Sequence, residues 1–269
     1  MMAKTNHWGA LSAAAGTLVA VGLVLLIMVV VEASPAEATF PGNPGKIAYS
    51  AHDGQDFEIY TINSGGGGKV QLTDDAANAY NPSYSPSAKK IAYSGYDGQD
   101  FEIYTINPGG GGRFNVTDNS TADYAPSYSP SGKKIVYAGY DGQDREIYTI
   151  NPGGGGRFNV TDNSTDEYYS SYSPSGKKIA YSGEDGANGD YEIYNINPGG
   201  GGKVQLTDNS TDDDGGLSYS PSAKKIAYSG KDATIGDYEI YKIDTGGGGR
   251  VKVTDNSTDD YYPCWGSSK

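Results

Sequence analysis

From residue 46 onward the chain alternates bulky and small or polar side chains at period two. These short runs are separated by stretches rich in glycine, aspartate and serine. KIAYS and EIYTIN place β-branched or aromatic groups on every second position, KVQLT and RFNVT do the same, and PSYS is a fourth, shorter run. Alternation of this kind predicts strands. Between the runs sit a turn such as Asp97-Gly98-Gln99-Asp100 and a tract such as Pro108 followed by four glycines. Proline donates nothing to a ladder and glycine accepts positive φ, so the tract is a loop. No stretch beyond the N-terminal leader carries helical periodicity.

The runs recur in fixed order. KIAYS starts at Lys46, and its equivalents start at Lys90, Lys134, Lys178 and Lys225, at spacings of 44, 44, 44 and 47. Four short strands at a period in the mid-forties are the pattern of a propeller blade. The predicted fold is all-β: a five-bladed β-propeller of four-stranded antiparallel blades. PSYS-type strands occur at 82–85, 126–129, 170–173 and 217–220, so the first blade lacks one. Tyr262–Trp265 is expected to supply it by pairing with Lys46–Ala51. Pairing of the N- and C-terminal strands then closes the ring and removes its open edges.

The segment PSYSPSGKKIAYSG followed by EIYTIN resembles the WD40-like repeat of the TolB-like propeller family. The resemblance covers residues 40–269 and is to the propeller alone, without the N-terminal α/β domain of TolB. It implies an extracytoplasmic propeller that binds proteins.

The leader is a separate matter. Ala10 to Val31 is apolar apart from Ser12 and Thr17, Lys4 lies upstream, and Ala36-Glu37-Ala38 offers a small-x-small cleavage site. Residues 1–38 read as a secretory signal peptide, with Thr39 as the mature start. The apolar run is also long enough to act as a membrane anchor. Either way the propeller, residues 39–269, is expected outside the cytoplasm: periplasmic, secreted or attached to the cell envelope. Membrane contact is expected only through an uncleaved leader.

Charge adds a direction. The chain carries 33 acidic and 20 basic residues, for a net charge of -13. Antiparallel strands put the Asp-containing turns and the loops between repeats on one face, called top here. Nearly all the acids fall there, while most lysines and arginines fall on the bottom. Such a face repels nucleic acid and suits a protein with a basic surface, or a cation. Repeat symmetry breaks where the turns Asp185–Asp190 and Asp232–Asp237 are two residues longer than Asp97–Asp100. With the loop between them, these give a candidate partner-binding rim: Glu184, Asp185, Asp190, Asp212, Asp213, Asp214, Asp232 and Asp237. Tyrosines on or beside the top loops, among them Tyr80, Tyr96, Tyr124, Tyr140, Tyr168, Tyr169, Tyr261 and Tyr262, suit a protein or glycan surface.

Catalytic chemistry is hard to assemble. His52 is the one histidine outside the leader, and no G-x-S-x-G elbow occurs. One histidine and one cysteine exclude an ordinary zinc site. No cofactor is called for; calcium is the one ion admitted, with Glu184–Glu192 as its best local candidate, although the spacing is not that of an EF-hand. Cys264, beside Trp265, reads as a small buried hydrophobe. Asn119-Ser120-Thr121 and its repeats match a glycosylation acceptor but read better as interblade turns. The expected function is a non-enzymatic extracytoplasmic binding or scaffold propeller. A carbohydrate-binding propeller comes second, and a lyase or hydrolase using carboxylates third.

Overall fold

The computed structural model describes residues 45–265. The leader, its cleavage site and the last four residues lie outside them. The described residues form a five-bladed β-propeller. Blade one holds β1 (Lys46–His52), β2 (Phe57–Asn63) and β3 (Val70–Gln71). Blade two holds β4 (Ala79–Tyr84), β5 (Ile91–Tyr96), β6 (Phe101–Ile106) and β7 (Phe114–Asn115). Blade three holds β8 (Asp123–Tyr128), β9 (Ile135–Tyr140), β10 (Arg145–Ile150) and β11 (Phe158–Asn159). Blade four holds β12 (Glu167–Tyr172), β13 (Ile179–Glu184), β14 (Tyr191–Ile196) and β15 (Val204–Gln205). Blade five holds β16 (Gly215–Tyr219), β17 (Lys225–Lys231), β18 (Tyr238–Asp244) and β19 (Val251–Lys252). Pairing within each blade is antiparallel between sequence neighbours.

The period-two pattern becomes two buried faces per blade. Ile103 and Val116 of blade two pack against Tyr128, Ile135, Tyr137 and Tyr148 of blade three. The same small-against-bulky layer joins blades one and two, three and four, and four and five. Tyr93, Tyr137, Tyr181 and Tyr228 are fully buried. Each stacks on its neighbour in the next strand at ring-centroid distances of 5.6, 5.7, 5.5 and 5.8 Å.

Strand lengths differ from the sequence reading in two ways. The outer strands are only two residues long. The cause is Thr73 and its equivalents: in blade one Thr73 Oγ accepts the Ile59 N–H, and in blade two Thr117 Oγ accepts that of Ile103, so a side chain replaces the ladder. The inner strands begin earlier than PSYS and carry a bulge, between Tyr80 and Ser83 in blade two. The bulge residues Asn81, Ala125 and Tyr169 adopt φ of 53°, 51° and 43°, and Tyr262, outside any ladder, adopts 57°.

The seam between blades five and one is also unlike the expectation. Tyr262–Trp265 makes no ladder with β1 among the described residues, so blade one shows three strands. The segment makes the contacts to the preceding blade that β8 makes: Tyr262 N donates to Ser229 Oγ at 2.9 Å and Trp265 N to Ser218 Oγ at 3.3 Å, as Ala125 N donates to Ser94 Oγ and Tyr128 N to Ser83 Oγ. Ile47 is 43% exposed and Val253 55%, where Ile91 is at 0% and Val116 at 4%. Cys264 is exposed rather than buried.

Candidate functional site: an aromatic bowl on the top face

The hydrogen bonds confirm which loops share a face. Tyr96 N donates to Asn78 O at the top, and Lys90 Nζ donates to Gly112 O at the bottom. Many top-face acids, however, serve the fold. Glu58, Glu102, Glu146, Glu192 and Glu239 are all at 0% exposure. Glu102 accepts hydrogen bonds from Thr117 Oγ and from Asn119 N, the latter at 2.6 Å. Asn119 Nδ2 then reaches Asp123 Oδ2, at the start of the next blade, at 2.7 Å. Asn163 bridges Glu146 and Glu167 in the same way, Asn209 bridges Glu192 and Asp213, and Asn256 bridges Glu239 and Asp260. The Asn-Ser-Thr repeats are therefore interblade bridges. Burial pushes the Asp123 and Asp213 carboxyls up to about 7. Burial also raises Glu167, and repulsion from Glu146 adds to it.

Of the eight rim residues, Asp190, Asp212 and Asp232 line one open pocket of about 260 Å³ together with Lys231, and the others lie outside its lining. Asp213 is fully buried, bridged by Asn209 and paired with Arg250 at 3.1 Å. Asp232 is buried, with its carboxylate held by Thr234 N, Ile235 N, Tyr241 OH and Lys252 Nζ. These donors hold its pKa well below the usual carboxylate range. Asp212 Oδ1 accepts Tyr191 N at 3.3 Å, and Asp185 Oδ1 accepts Ala187 N at 3.0 Å. Asp190 and Asp237 each keep one buried oxygen without a hydrogen bond. Glu184 and Asp214 are half-buried. Exposed acidity resides elsewhere, in Asp53, Asp97, Asp118, Asp141, Asp162 and Asp208.

The cations that follow the glycine tracts do not stay at the bottom either. Arg113 packs on the Tyr104 ring and pairs with Asp75 of the previous blade. Arg250 packs on Tyr241 at 4.0 Å while reaching Asp213. The charge polarity along the propeller axis is thus partly neutralised inside the seams.

What the top face presents instead is a collar of aromatic rings. The first residue of the third strand in each blade (Phe57, Phe101, Arg145, Tyr191, Tyr238) alternates with one near the start of the inner strand (Tyr80, Tyr124, Tyr168, Asp214, Tyr261). Centroid distances run 5.1 Å for Phe57–Tyr80, 5.9 Å for Tyr80–Phe101 and 5.1 Å for Phe101–Tyr124. The Arg145 guanidinium follows, 6.0 Å from the Tyr124 ring and 4.9 Å from that of Tyr168. Tyr168–Tyr191 at 5.6 Å and Tyr238–Tyr261 at 4.8 Å continue it, with Asp214 beside the Tyr238 hydroxyl.

Inside the collar lies a cavity of about 480 Å³. Phe57, Tyr80, Tyr124, Arg145 and Tyr168 form its wall. Its floor is made by the bulge residues Asn81, Ala125 and Tyr169 and by Tyr262. The Tyr169 and Tyr262 hydroxyls meet at 3.3 Å, so these two large side chains narrow the channel while Asn81, Ala125 and Gly216 leave it open on the other side. The serine of KIAYS helps set this floor: Ser94 Oγ accepts Ala125 N, as Ser229 Oγ accepts Tyr262 N. The sequence singled out several of these tyrosines. It missed Phe57, Phe101 and Arg145, whose signal is the residue preceding the glutamate of each EIY run.

His52 is exposed, and its Nδ1 accepts Gly54 N at 3.0 Å, which makes it a turn residue. Among the described residues, carboxylates converge in threes at Asp53–Glu58–Asp74, Asp97–Asp100–Glu102 and Asp141–Asp144–Glu146. The turn Glu184–Glu192, the calcium candidate of the sequence, is not among these groups.

Five antiparallel blades, small-against-bulky seams and a bowl at one mouth of the channel define a β-propeller. The profile of the TolB β-propeller domain matches residues 33–269, and the chain belongs to that family. Among solved structures, a protein of Agrobacterium tumefaciens assigned to TolB is 20% identical, with a TM-score of 0.69 over 82% of this chain and 80% of that one. TolB from Acinetobacter baumannii is 24% identical, with a TM-score of 0.69 over 82% of this chain and 56% of that one. A chain of a nidogen/laminin complex reaches a TM-score of 0.62 at 9% identity, over 76% and 77%. These likenesses concern the fold. No curated protein matches the chain.

Proposed function

We propose that this chain is an extracytoplasmic, non-enzymatic binding propeller that holds a protein partner at the bowl. The observation that carries this reading is the aromatic collar around a cavity of about 480 Å³. Aromatic rings and arginine are the side chains that dominate binding energy at protein interfaces. The exposed acids outside the collar favour a partner that presents an apolar or aromatic segment flanked by basic groups. Membership of the TolB propeller family and the leader pattern support a place outside the cytoplasm. Catalysis by paired carboxylates is disfavoured because the interblade pairs Glu102–Asp123 and Glu192–Asp213 are at 0% exposure.

A glycan is the second reading, since sugar faces also stack on aromatic rings. The test is affinity capture from cell-envelope extract with the wild-type protein and the Tyr124→Ala/Tyr168→Ala double variant. A protein retained by the wild type, released by salt and lost in the variant supports the proposal. Equal capture by both proteins contradicts it, and binding to a glycan array with no protein retained favours the sugar.

A further inference from the structure

We propose that the bottom face, opposite the bowl, seats the propeller on an anionic phospholipid bilayer. Charge separates between the two ends of the described residues. Asp244 is the one acid among them at the bottom, and Lys225 neutralises it at 2.6 Å. The turns that lead from the inner strand to the second strand bring the pairs Lys89/Lys90, Lys133/Lys134, Lys177/Lys178 and Lys224/Lys225 to that end.

The two members of a pair do different things. The second lysine holds a glycine loop in three blades: Lys90 Nζ donates to Gly112 O at 3.1 Å, Lys134 Nζ to Gly156 O at 3.0 Å and Lys178 Nζ to Gly202 O at 3.3 Å. The first lysine, Lys89, Lys133, Lys177 or Lys224, is exposed. Among the described residues these four form no ion pair. Their ammonium groups share one face without an internal counter-charge.

An apolar rim is a second observation, independent of charge. Phe114, Phe158, Val204 and Val251 open the outer strands just after the glycine tracts, and all four are exposed. The Phe114 and Phe158 rings lie 3.8 and 3.9 Å from where a Cβ on Gly154 and Gly200 of the next blade would stand. The rim therefore sits at the level of the bottom loops.

Basic groups bordered by apolar side chains suit a bilayer interface, where ammonium groups meet lipid phosphates and apolar groups reach the acyl boundary. Blades two to five offer the same two features, and a flat layer of headgroups meets them all at once. The net charge of -13 does not oppose this. A six-residue strand such as β9 rises about 3.3 Å per residue, which sets the acidic face about 20 Å away. Salt screens charge over about 8 Å, so the bilayer feels mainly the lysines. The chain also enters the propeller on this side, where Gly45 O accepts Ser64 N at 3.2 Å. The segment that carries the apolar run Ala10–Val31 is thus joined to the lysine face, and the bowl is left free for its partner.

The test reads which face meets lipid, so insertion of the leader alone does not mimic the result. The full chain is added to vesicles of phosphatidylcholine, or of equimolar phosphatidylcholine and phosphatidylglycerol, and lysine acetylation is followed by mass spectrometry. On the anionic vesicles Lys89, Lys133, Lys177 and Lys224 should react about fivefold more slowly than on the neutral ones. Lys231, in the top-face pocket, should be unchanged, and molar salt should remove the protection. Lys46, exposed at the bottom of blade one, should be protected in the wild type. In the variant Lys89→Gln/Lys133→Gln/Lys177→Gln/Lys224→Gln, folded by circular dichroism, it should react equally on both vesicles. The proposal is overturned if the four lysines react equally on the two vesicles, or if Lys231 is protected as strongly as they are. Protection by soluble polyglutamate but not by phosphatidylglycerol would equally overturn it and assign the face to an acidic protein.

Discussion

Replacing Asp123 with asparagine tests the role assigned to the buried interblade acids. Asp123 is at 0% exposure, with Asn119 Nδ2 on Oδ2 and no donor on Oδ1. Burial raises its carboxyl most; Asn119, Arg157 and Thr117 pull it down and Glu102 pushes it up. The folded-state value is above the unfolded one, so the folded protein holds the proton more tightly. The stability this contributes is complete below the unfolded value and is lost as pH rises through the folded one. Moving a carboxyl from 3.8 to about 7, at about 1.4 kcal/mol per pH unit, sets an upper limit of about 4 kcal/mol for the loss between pH 4 and pH 8. For a propeller of this size that corresponds to roughly 10 °C in melting temperature. The asparagine amide has its own cost, but that cost does not vary with pH. The readout is therefore the difference in melting temperature between variant and wild type at pH 4.5, 6, 7 and 8. It should shift in favour of the variant as pH rises and level off above pH 7. Parallel profiles would show that Asp123 ionises in the seam without penalty, and the reasoning about these acids would fail.

Two further outcomes follow from neighbouring contacts. Arg250→Met leaves the buried Asp213 without its counter-charge and should destabilise by about 3 kcal/mol in urea unfolding; the loss should be larger at pH 8 than at pH 5, because the Asp213 carboxyl at about 7 protonates in between. A Cβ at Gly216 would lie 2.4 Å from the Tyr262 ring, so Gly216→Ala should loosen the C-terminal segment, read as faster hydrogen exchange at residues 261–265 with the other inner strands unchanged.

The blades were legible in the sequence because each repeat states its strands, turns and loops in the same order. The top and bottom faces followed from antiparallel connectivity alone. Which acids stay in water was harder. Glu102 stands two residues from Tyr104 on one strand face, so the burial of the tyrosine carries the glutamate inward with it. That signal was present but was outweighed by the usual expectation that acids near a turn are solvated. Asp213, just ahead of β16, is held by Asn209 and Arg250; Asn209 is legible in the recurring Asn-x-x-x-acid spacing, whereas Arg250 comes from 37 residues away and no local pattern reports it. The collar was half visible: its tyrosines lie in loops rich in aspartate, whereas Phe57, Phe101 and Arg145 enter it only once adjacent blades are side by side. Tyr262–Trp265 occupies the repeat position of an inner strand, as counted, and makes an inner strand's contacts to blade five, but it has no ladder to β1 among the described residues.

The most direct test of the bowl as the binding surface is site-specific photocrosslinking in living cells. A photoreactive phenylalanine analogue is placed at Tyr124 or Tyr168 in the collar and, separately, at Lys133 on the bottom face. The account predicts a discrete crosslinked protein from the collar positions and none from Lys133. Crosslinking from Lys133 with silent collar positions would contradict it.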